Sequence, residues 1–565
     1  MIRISKITDK FFRCLIGSLF FLIVIMLWGG SIFGNCMVNN DEYTYYISDQ
    51  PLIHVLAFFS LVVMLYFYRT KIGRRTDCIK LKKIVFWICL FLYFSITLFC
   101  ALYVSMEPRA DQKSVVDTVQ AMLNGDFSAF KTNGYVGVYP NQVGIVYLLY
   151  WMFRVLPFGY KTMVVINVFS LVIIIYYMAA IGKVLSKECG KKWMSGIVTM
   201  MFFPITMYAT FVYGNMLGQA LSTVAIYYTL VFLEKHSILS IVTATITAAI
   251  SVTIKENFII PVVGIIIFLV LDFFRKKSKK SIVFLCSLLI ITLGMGSIVK
   301  IHMQNITGEK ISKGVPTLAW VVMGMQEGYM AYGWHNQYNE NVYRENGCDS
   351  EKTTKQVTED FKARLGEFVS KPAYAVKFFY QKTLSQWNNP TFECYWINDL
   401  TKREKDGIKV KPLSGFLGSL AGEPGNSAVT VYCNIFQSLL LLGVVLWVLL
   451  GRKQIEINQL LLATIFVGGF VFHLFWEAKC QYVIPYLVLL IPYCVRGYQL
   501  LLDKVELVFE KNSESNTEQR TAKRIIGIIV CVTFVIVLIG TVGNKIVDKA
   551  FGFSESGYEE FLNSK

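Results

Sequence analysis

The 565-residue chain is 55% apolar and only 16% charged, with a mean hydropathy of +0.50, whereas about a quarter of an ordinary soluble domain is charged. That balance excludes a single water-soluble core. The formal charge of +17 does not indicate nucleic acid, because the lysines and arginines stand in short clusters between apolar runs, as the positive-inside rule describes for membrane chains.

The apolar runs are about 17–23 residues long, the length a helix needs to cross roughly 30 Å of hydrocarbon. The first, 11–33, follows Arg3, Lys6, Lys10 and Arg13. It is longer than a signal sequence and lacks a small-x-small cleavage site, so it reads as an uncleaved helix with its N-terminus in the cytoplasm. A second span at 51–68 returns to Arg69, Lys71, Arg74, Arg75, Lys80, Lys82 and Lys83, the strongest inside signal in the chain. A third, 84–104, delivers a polar outer loop at 105–141.

The next stretch poses a parity problem. Residues 143–156 are too few to span, 163–181 span well, and Lys183, Lys187, Lys191 and Lys192 look cytoplasmic. One crossing plus a short re-entrant or interfacial piece satisfies all three facts, provided protein buries the exposed backbone ends. Spans then alternate at 193–213, 216–233, 238–254, 257–274 and 282–301, with 275–280 basic. Residues 302–428 have ordinary soluble composition and read as an extracytoplasmic segment. Spans at 430–450, 458–475 and 482–495, a polar inside stretch at 496–524 and a last span ending near 543 complete an all-α polytopic membrane protein of about 13–14 helices. The corresponding divisions are a two-helix extension at 1–83, a core at 84–301, the outer segment at 302–428, C-terminal helices at 429–543 and an outer tail at 544–565. No 20–50-residue repeat is visible, which weighs against a transporter built from repeats.

The thirteen cysteines lie mostly inside spans without metal-ligand spacing and read as small apolar residues. Cys348 and Cys394, both in the outer segment, are a candidate disulfide pair. Asn305-Ile-Thr307 is a glycosylation sequon that matters only in a eukaryotic secretory setting.

In the first outer loop, Val115, Val116, Val119, Met122 and Leu123 follow helical spacing, and Asp111 stands at the start of that helix. The carboxylate is either an N-cap or a general base or metal ligand at headgroup depth. In the large segment, Val357, Phe361, Leu365 and Phe368 form one amphipathic face. Val376, Phe379, Tyr380, Leu384 and Trp387 form another, opened by Pro372, and Lys382 on that helix is either a solvated cation or a phosphate ligand. Ionisable residues close to apolar sequence are costly and therefore candidates for function. Lys255-Glu256-Asn257 and Glu477-Ala-Lys479-Cys-Gln-Tyr482 are two such places, each also readable as an interfacial turn. Tyr213-Gly-Asn215 is a weaker third, since Gly-Asn is ordinary turn chemistry. By the assigned topology Asp111, Asn215, Lys255, Lys382, Glu477 and Lys479 all face out.

The order of these pieces resembles polytopic GT-C glycosyltransferases, with bacterial relatives of protein O-mannosyltransferases and aminoarabinose transferases the nearest comparison. The pieces are Pro108-x-x-Asp111-Gln, Gly125-Asp126, Tyr139-Pro-Asn-Gln142 with Gly144, Tyr213-Gly-Asn215, Lys255-x-Asn257 and Glu477-Ala-x-x-x-Tyr482, and together they cover about residues 84–495. The resemblance implies transfer of a sugar from a polyprenyl-phosphate donor to a glycan, lipid or protein acceptor at the outer face of a bacterial cytoplasmic membrane. It implies Asp111 as base, in some members with a divalent metal such as Mg or Mn. Lys255 and Lys479 would hold the donor phosphate, Glu477 would orient them or the acceptor, and Tyr139, Gln142, Asn215, Lys382 and Tyr482 would line the substrate site. Two departures stand out: the family often has an acidic residue where Asn215 stands and an arginine where Gln481 stands. Asp41-Glu42 also resembles an acidic pair, but without the following amphipathic helix it ranks below Asp111. A flippase or transporter of lipid-linked glycans, and a surface-polysaccharide polymerase or ligase, are the alternative readings. Walker A and HExxH motifs are absent.

Overall fold

The computed structural model describes residues 2–39, 42–73, 79–104, 108, 110–186, 193–398, 424–452, 455–509, 516–542, 548–549, 552–554 and 556–563. Asp41, Lys187, Lys191, Lys192, Arg74, Arg75 and residues 399–423 of the 302–428 segment lie outside them. Eleven helices among the described residues are long and apolar enough to cross a membrane. We number the longer helices α1 (Ile2–Phe33), α2 (Pro51–Phe67), α3 (Ile79–Val104), α4 (Asp111–Leu123), α5 (Val143–Val155), α6 (Tyr160–Ser186), α7 (Asn215–Lys235), α8 (Ile238–Ile254), α9 (Ile259–Lys276), α10 (Lys279–Thr307), α11 (Ser350–Ser370), α12 (Pro372–Trp387), α13 (Gly425–Gly451), α14 (Leu461–Phe475), α15 (Ile484–Phe509) and α16 (Asn516–Val542). The fold is that of an all-α polytopic membrane protein, with one small addition. A two-stranded antiparallel hairpin, β1 (Gly34–Val38) and β2 (Thr44–Ser48), pairs Gly34 with Ser48 and Val38 with Thr44 between α1 and α2.

Lipid-facing surfaces show in what stays exposed. Phe91 on α3, Ile290 and Leu293 on α10 and Phe534 on α16 are each at least two-thirds exposed, a pattern that hydrocarbon tolerates and water does not. Inside, α13 and α15 pack along their length. A Cβ on Gly497 would overlap the carbonyl oxygen of Gly443, so this close approach requires small residues, as in other membrane helix pairs. Deeper in the same bundle, Trp447 and Tyr493 stack at 4.0 Å, with Phe20 of α1 edge-on to both.

The helix ends sort onto two faces. On one, Asp9 pairs with Arg275 at 3.1 Å, Arg69 with Asp503 at 2.7 Å and Glu506 at 3.0 Å, and Asp272 with His236 and Lys276. The other face carries the hairpin, α4, the 255–258 turn, the 476–483 turn and the large segment. The apolar run 193–213 is not the continuous helix expected from its composition. It breaks into Met194–Met201, Phe203–Met207 with Pro204 in its first turn, and a 3₁₀ turn at Tyr208–Thr210. Proline removes a backbone donor and crowds the preceding turn. The run still crosses between the faces, from Trp193 packed against Phe86 to the Thr210 carbonyl that accepts the Tyr160 hydroxyl. With the seventeen-residue α8, it adds two apolar passes to the eleven long helices.

The parity problem resolves structurally. The thirteen-residue α5 stays at the hairpin face, its Tyr147 hydroxyl 2.9 Å from His302 near the end of α10, while α6 alone crosses. The large segment folds around two small cores, one of Val138, Val315, Ala319, Val322, Val342 and Val357, the other of Met325, Phe368 and Phe378. Pro372 opens α12 as expected. Cys348 and Cys394 are not joined to each other, so the candidate disulfide does not form. The N-terminal extension is built into the rest: Thr44 donates through its backbone N–H and its hydroxyl to the Met330 carbonyl, at 3.3 and 3.0 Å, and the Tyr46 hydroxyl donates to the Gln381 carbonyl.

Candidate functional site

Asp111 does not cap its helix. Ala110 occupies the N-cap with φ 49° and ψ −135° and no capping side chain, a backbone state that costs a non-glycine residue about 1–3 kcal/mol and tends to persist at functional sites. The helix beyond it is the expected amphipathic one, with Val115, Val116, Val119 and Met122 buried. Gln112 anchors its start by accepting the Val212 N–H at 2.9 Å. The Asp111 carboxylate, in an exposed residue, accepts the Tyr213 hydroxyl at 3.0 Å, and that hydroxyl in turn accepts the Gln142 amide at 2.6 Å. Gly144 makes this arrangement possible: a Cβ there would overlap the carbonyl oxygen of Thr253, so α5 can bring Gln142 alongside the end of α8 only without one.

Lys255 follows at the turn after α8, its ammonium 3.2 Å from the centroid of the Tyr213 ring, a cation–π contact. Among the described residues no carboxylate lies within ion-pair distance of it. Burial pulls Lys255 from its ordinary 10.5 down to about 7, and the nearby charges of Asp111, Glu256 and Glu477 offset that only in part. Glu477 is buried, with His335 Nδ1 at 3.6 Å and the Tyr482 hydroxyl at 3.4 Å. Burial raises its carboxyl above the usual range against the pull of His335 and Lys479. Tyr139 stands within electrostatic range of both Asp111 and Glu477 and donates its hydroxyl to Glu340 at 2.8 Å.

Below this constellation a narrow cleft with a cavity volume of about 30 Å³ runs between α7, α9 and α15. Its polar end is lined by Asn215, Gln219, Lys255 and Gln481, and its far end by Ile226 and Leu489. Asn215 Oδ1, Gln219 Nε2 and Gln481 Oε1 are buried without a hydrogen-bond partner among the described residues. Buried polar atoms are ordinarily paired; here the Gln219 N–H and the Lys255 ammonium are donors that suit an anionic group, whereas the Asn215 and Gln481 oxygens are acceptors that suit hydroxyl groups. The deeper lining is apolar.

The other two nominated lysines are committed elsewhere. Lys382 is not a surface cation: it is 1% exposed and donates to the carbonyls of Leu474 at 3.0 Å, Trp476 at 2.7 Å and Gly324. It ties the end of α14 to the large segment and has no N–H left for phosphate. Lys479 forms an ion pair with Glu42 of the hairpin turn, its ammonium 5.2 and 5.3 Å from the Trp334 and Trp396 rings. Burial would lower Lys479, but Glu42, Glu393 and Glu477 outweigh it and hold the lysine above its ordinary value. Glu42 and Glu393 both take left-handed backbone conformations to reach it, and Glu393 also accepts the Cys480 N–H at 3.1 Å.

The structure brings Asp111, Gln142, Lys255, Glu477 and Tyr482 to one place, with Tyr139 and Asn215 beside it, and commits Lys382 to backbone carbonyls and Lys479 to Glu42. Sequence reasoning missed the Tyr213 hydroxyl as the hub, although Tyr213-Gly-Asn215 had drawn notice for its asparagine. It also missed His335, Gln219 and Glu393, which no spacing announces. No group of three His, Cys, Asp or Glu side chains suited to a metal occurs among the described residues. A phenol and an ammonium next to Asp111 do not fit a divalent ion, so no step below passes through one.

Residues 8–496 match the family described as conserved hypothetical integral membrane protein, and the chain belongs to that family. No curated protein matches it.

Proposed function

We propose that the protein is a glycosyltransferase of the GT-C type, working at the hairpin face, which in this reading is the outer face of a bacterial cytoplasmic membrane with the N-terminus inside. It takes a sugar from a polyprenyl-phosphate donor. The observation that carries the reading is the pairing of an accessible carboxylate, Asp111, with the Lys255 ammonium through Tyr213, at the polar end of a narrow cleft whose far end is apolar.

In the reaction the donor's phosphate lies at Lys255, and its isoprenoid tail enters toward the apolar end of the cleft, which widens to admit it. Asp111 accepts the proton of the acceptor hydroxyl as that oxygen bonds to the anomeric carbon, and the bond from the anomeric carbon to the phosphate oxygen breaks. Polyprenyl phosphate leaves with the electron pair, and Lys255 meets its added negative charge. Tyr213 holds the carboxylate in place from one side and carries Lys255 on its ring.

The test is turnover of radiolabelled polyprenyl-phosphate sugars by the purified protein in liposomes supplied with acceptor extract. Asp111→Asn should cut release of polyprenyl phosphate by about 10²–10⁴-fold, the usual contribution of a general base. Full transfer by the variant would overturn the mechanism. Intact donor reaching the opposite leaflet without release would make the protein a flippase.

A further inference from the structure

A second polar assembly lies under the hairpin, apart from Asp111 and Lys255. Asn35 on β1 and Asn434 on α13 each donate an amide N–H to the same oxygen of Asp49, at 2.8 and 2.5 Å. His54 on α2 reaches that oxygen at 2.9 Å through one ring nitrogen and Ser438 at 2.7 Å through the other. One helical turn along α13, Gln437 donates its amide to the Trp387 carbonyl at 2.5 Å. The neighbouring Asn388 donates its own amide to the Leu27 carbonyl at 2.9 Å, and its backbone oxygen accepts the N–H of Cys36, which returns the chain of contacts to Asn35.

The four amides in this ring share one property. Each donates to a group that can only accept, a carboxylate or a backbone carbonyl, so none can be turned over without losing its bond. The N–H side is therefore fixed and the oxygen is left over. All four leftover oxygens accept no hydrogen bond among the described residues, and their residues are 8%, 0%, 8% and 2% exposed for Asn35, Asn388, Asn434 and Gln437. Buried acceptors without donors are rare singly, and here four occur in one closed ring with a single carboxylate.

Neutral oxygens grouped with one carboxylate are the ligand chemistry of a hard cation of single charge; divalent ions favour more carboxylates or retained water. We propose that this ring binds an alkali-metal cation, sodium or potassium, and so ties the hairpin to α2, α12 and α13. The site is independent of the transferase reading.

The experiment uses the full-length protein in nanodiscs and follows binding of ²²Na⁺ and ⁸⁶Rb⁺ by scintillation proximity, at fixed ionic strength made up with N-methylglucamine chloride. Saturable binding of either isotope, displaced by the unlabelled alkali ion and weakened at least tenfold in Gln437→Leu, supports the site and identifies the ion. As a second variant, Asn434→Asp adds a carboxylate and should confer ⁴⁵Ca²⁺ binding that the wild type lacks. If neither alkali isotope binds saturably and thermal unfolding is indifferent to the cation present, the oxygens are served by water and the proposal fails. Undiminished binding in Gln437→Leu would equally overturn it.

Discussion

Replacing Glu42 with Gln leaves the Lys479 ammonium in a pocket walled by Trp334 and Trp396, with its ion-pair partner gone. The two side chains are each 12% exposed, so solvent screens the pair weakly. Two unit charges in contact interact by about 4 kcal/mol at the effective dielectric typical near protein surfaces, and removing one member of a buried pair costs about 3–5 kcal/mol. Glu393 lies within electrostatic range of Lys479 and takes up part of the loss, which puts Glu42→Gln at the low end, about 3 kcal/mol. Lys479→Met strands Glu42 together with Glu393 and Glu477 and belongs at the high end, about 5 kcal/mol. The double variant removes both charges of the pair and leaves Glu393 and Glu477, whose carboxyls burial already pushes up. It should recover about 2–3 kcal/mol relative to the sum of the single changes. Denaturant titration in mixed micelles gives the cycle, and the transfer assay on the double variant gives its functional reading. If the lysine is structural, the refolded double variant turns over within about tenfold of wild type, about 1.4 kcal/mol. Single changes under about 1 kcal/mol, as for an exposed pair, or a stable double variant without turnover, would refute this reasoning. The second result would return Lys479 to the donor phosphate.

Lys255 carries the pH dependence. Its folded value near 7 lies below its ordinary 10.5, so it is charged below about pH 7 and increasingly neutral above. In the free protein, kcat/KM for the donor should fall toward about tenfold per unit above that pH. Lys255→Arg, charged throughout, should flatten the falling limb, whereas Lys255→Met should lower kcat/KM about 10–100-fold and flatten it too, the loss expected for a charge-assisted bond to phosphate. An unchanged profile in Lys255→Arg would count against the assignment. The same shift has a stability sign: between pH 7 and 10.5 the unfolded chain holds the proton more tightly, so this residue makes folding more favourable as pH rises through that window. Gly144→Ala should cost about 1–3 kcal/mol by overlap with the Thr253 carbonyl and reduce turnover by displacing Gln142 from Tyr213; wild-type stability and turnover would show that α5 does not depend on that close approach.

Much of the architecture was legible in the chain itself because membrane insertion is governed by local quantities. Run length, hydropathy and the alternation of basic clusters identified nearly every crossing, and the spacing of Val115, Val119 and Met122 gave α4 with its buried face. Pro204 inside 193–213 was also visible, but whether a proline bends a helix or breaks it depends on neighbours such as Tyr93, whose hydroxyl is 2.5 Å from Thr206. The hairpin escaped notice because its strands are short, and it pairs only once α1 and α2 have brought its ends together.

The site divides the same way. Cost considerations nominate ionisable residues at the ends of apolar runs, and Lys255, Glu477 and Lys479 came from that rule, while Asp111 and Lys382 came from amphipathic helices. Three lysines were nominated in all, and only the tertiary structure separated them. Lys382 is consumed by carbonyls of α14 and the large segment, Lys479 by a carboxylate 437 residues away, and Lys255 alone of the three keeps its ammonium over an aromatic ring with no carboxylate in contact. A local pattern can tell that a charge is expensive to bury, but the partner that compensates it lies at a sequence distance only the folded chain closes.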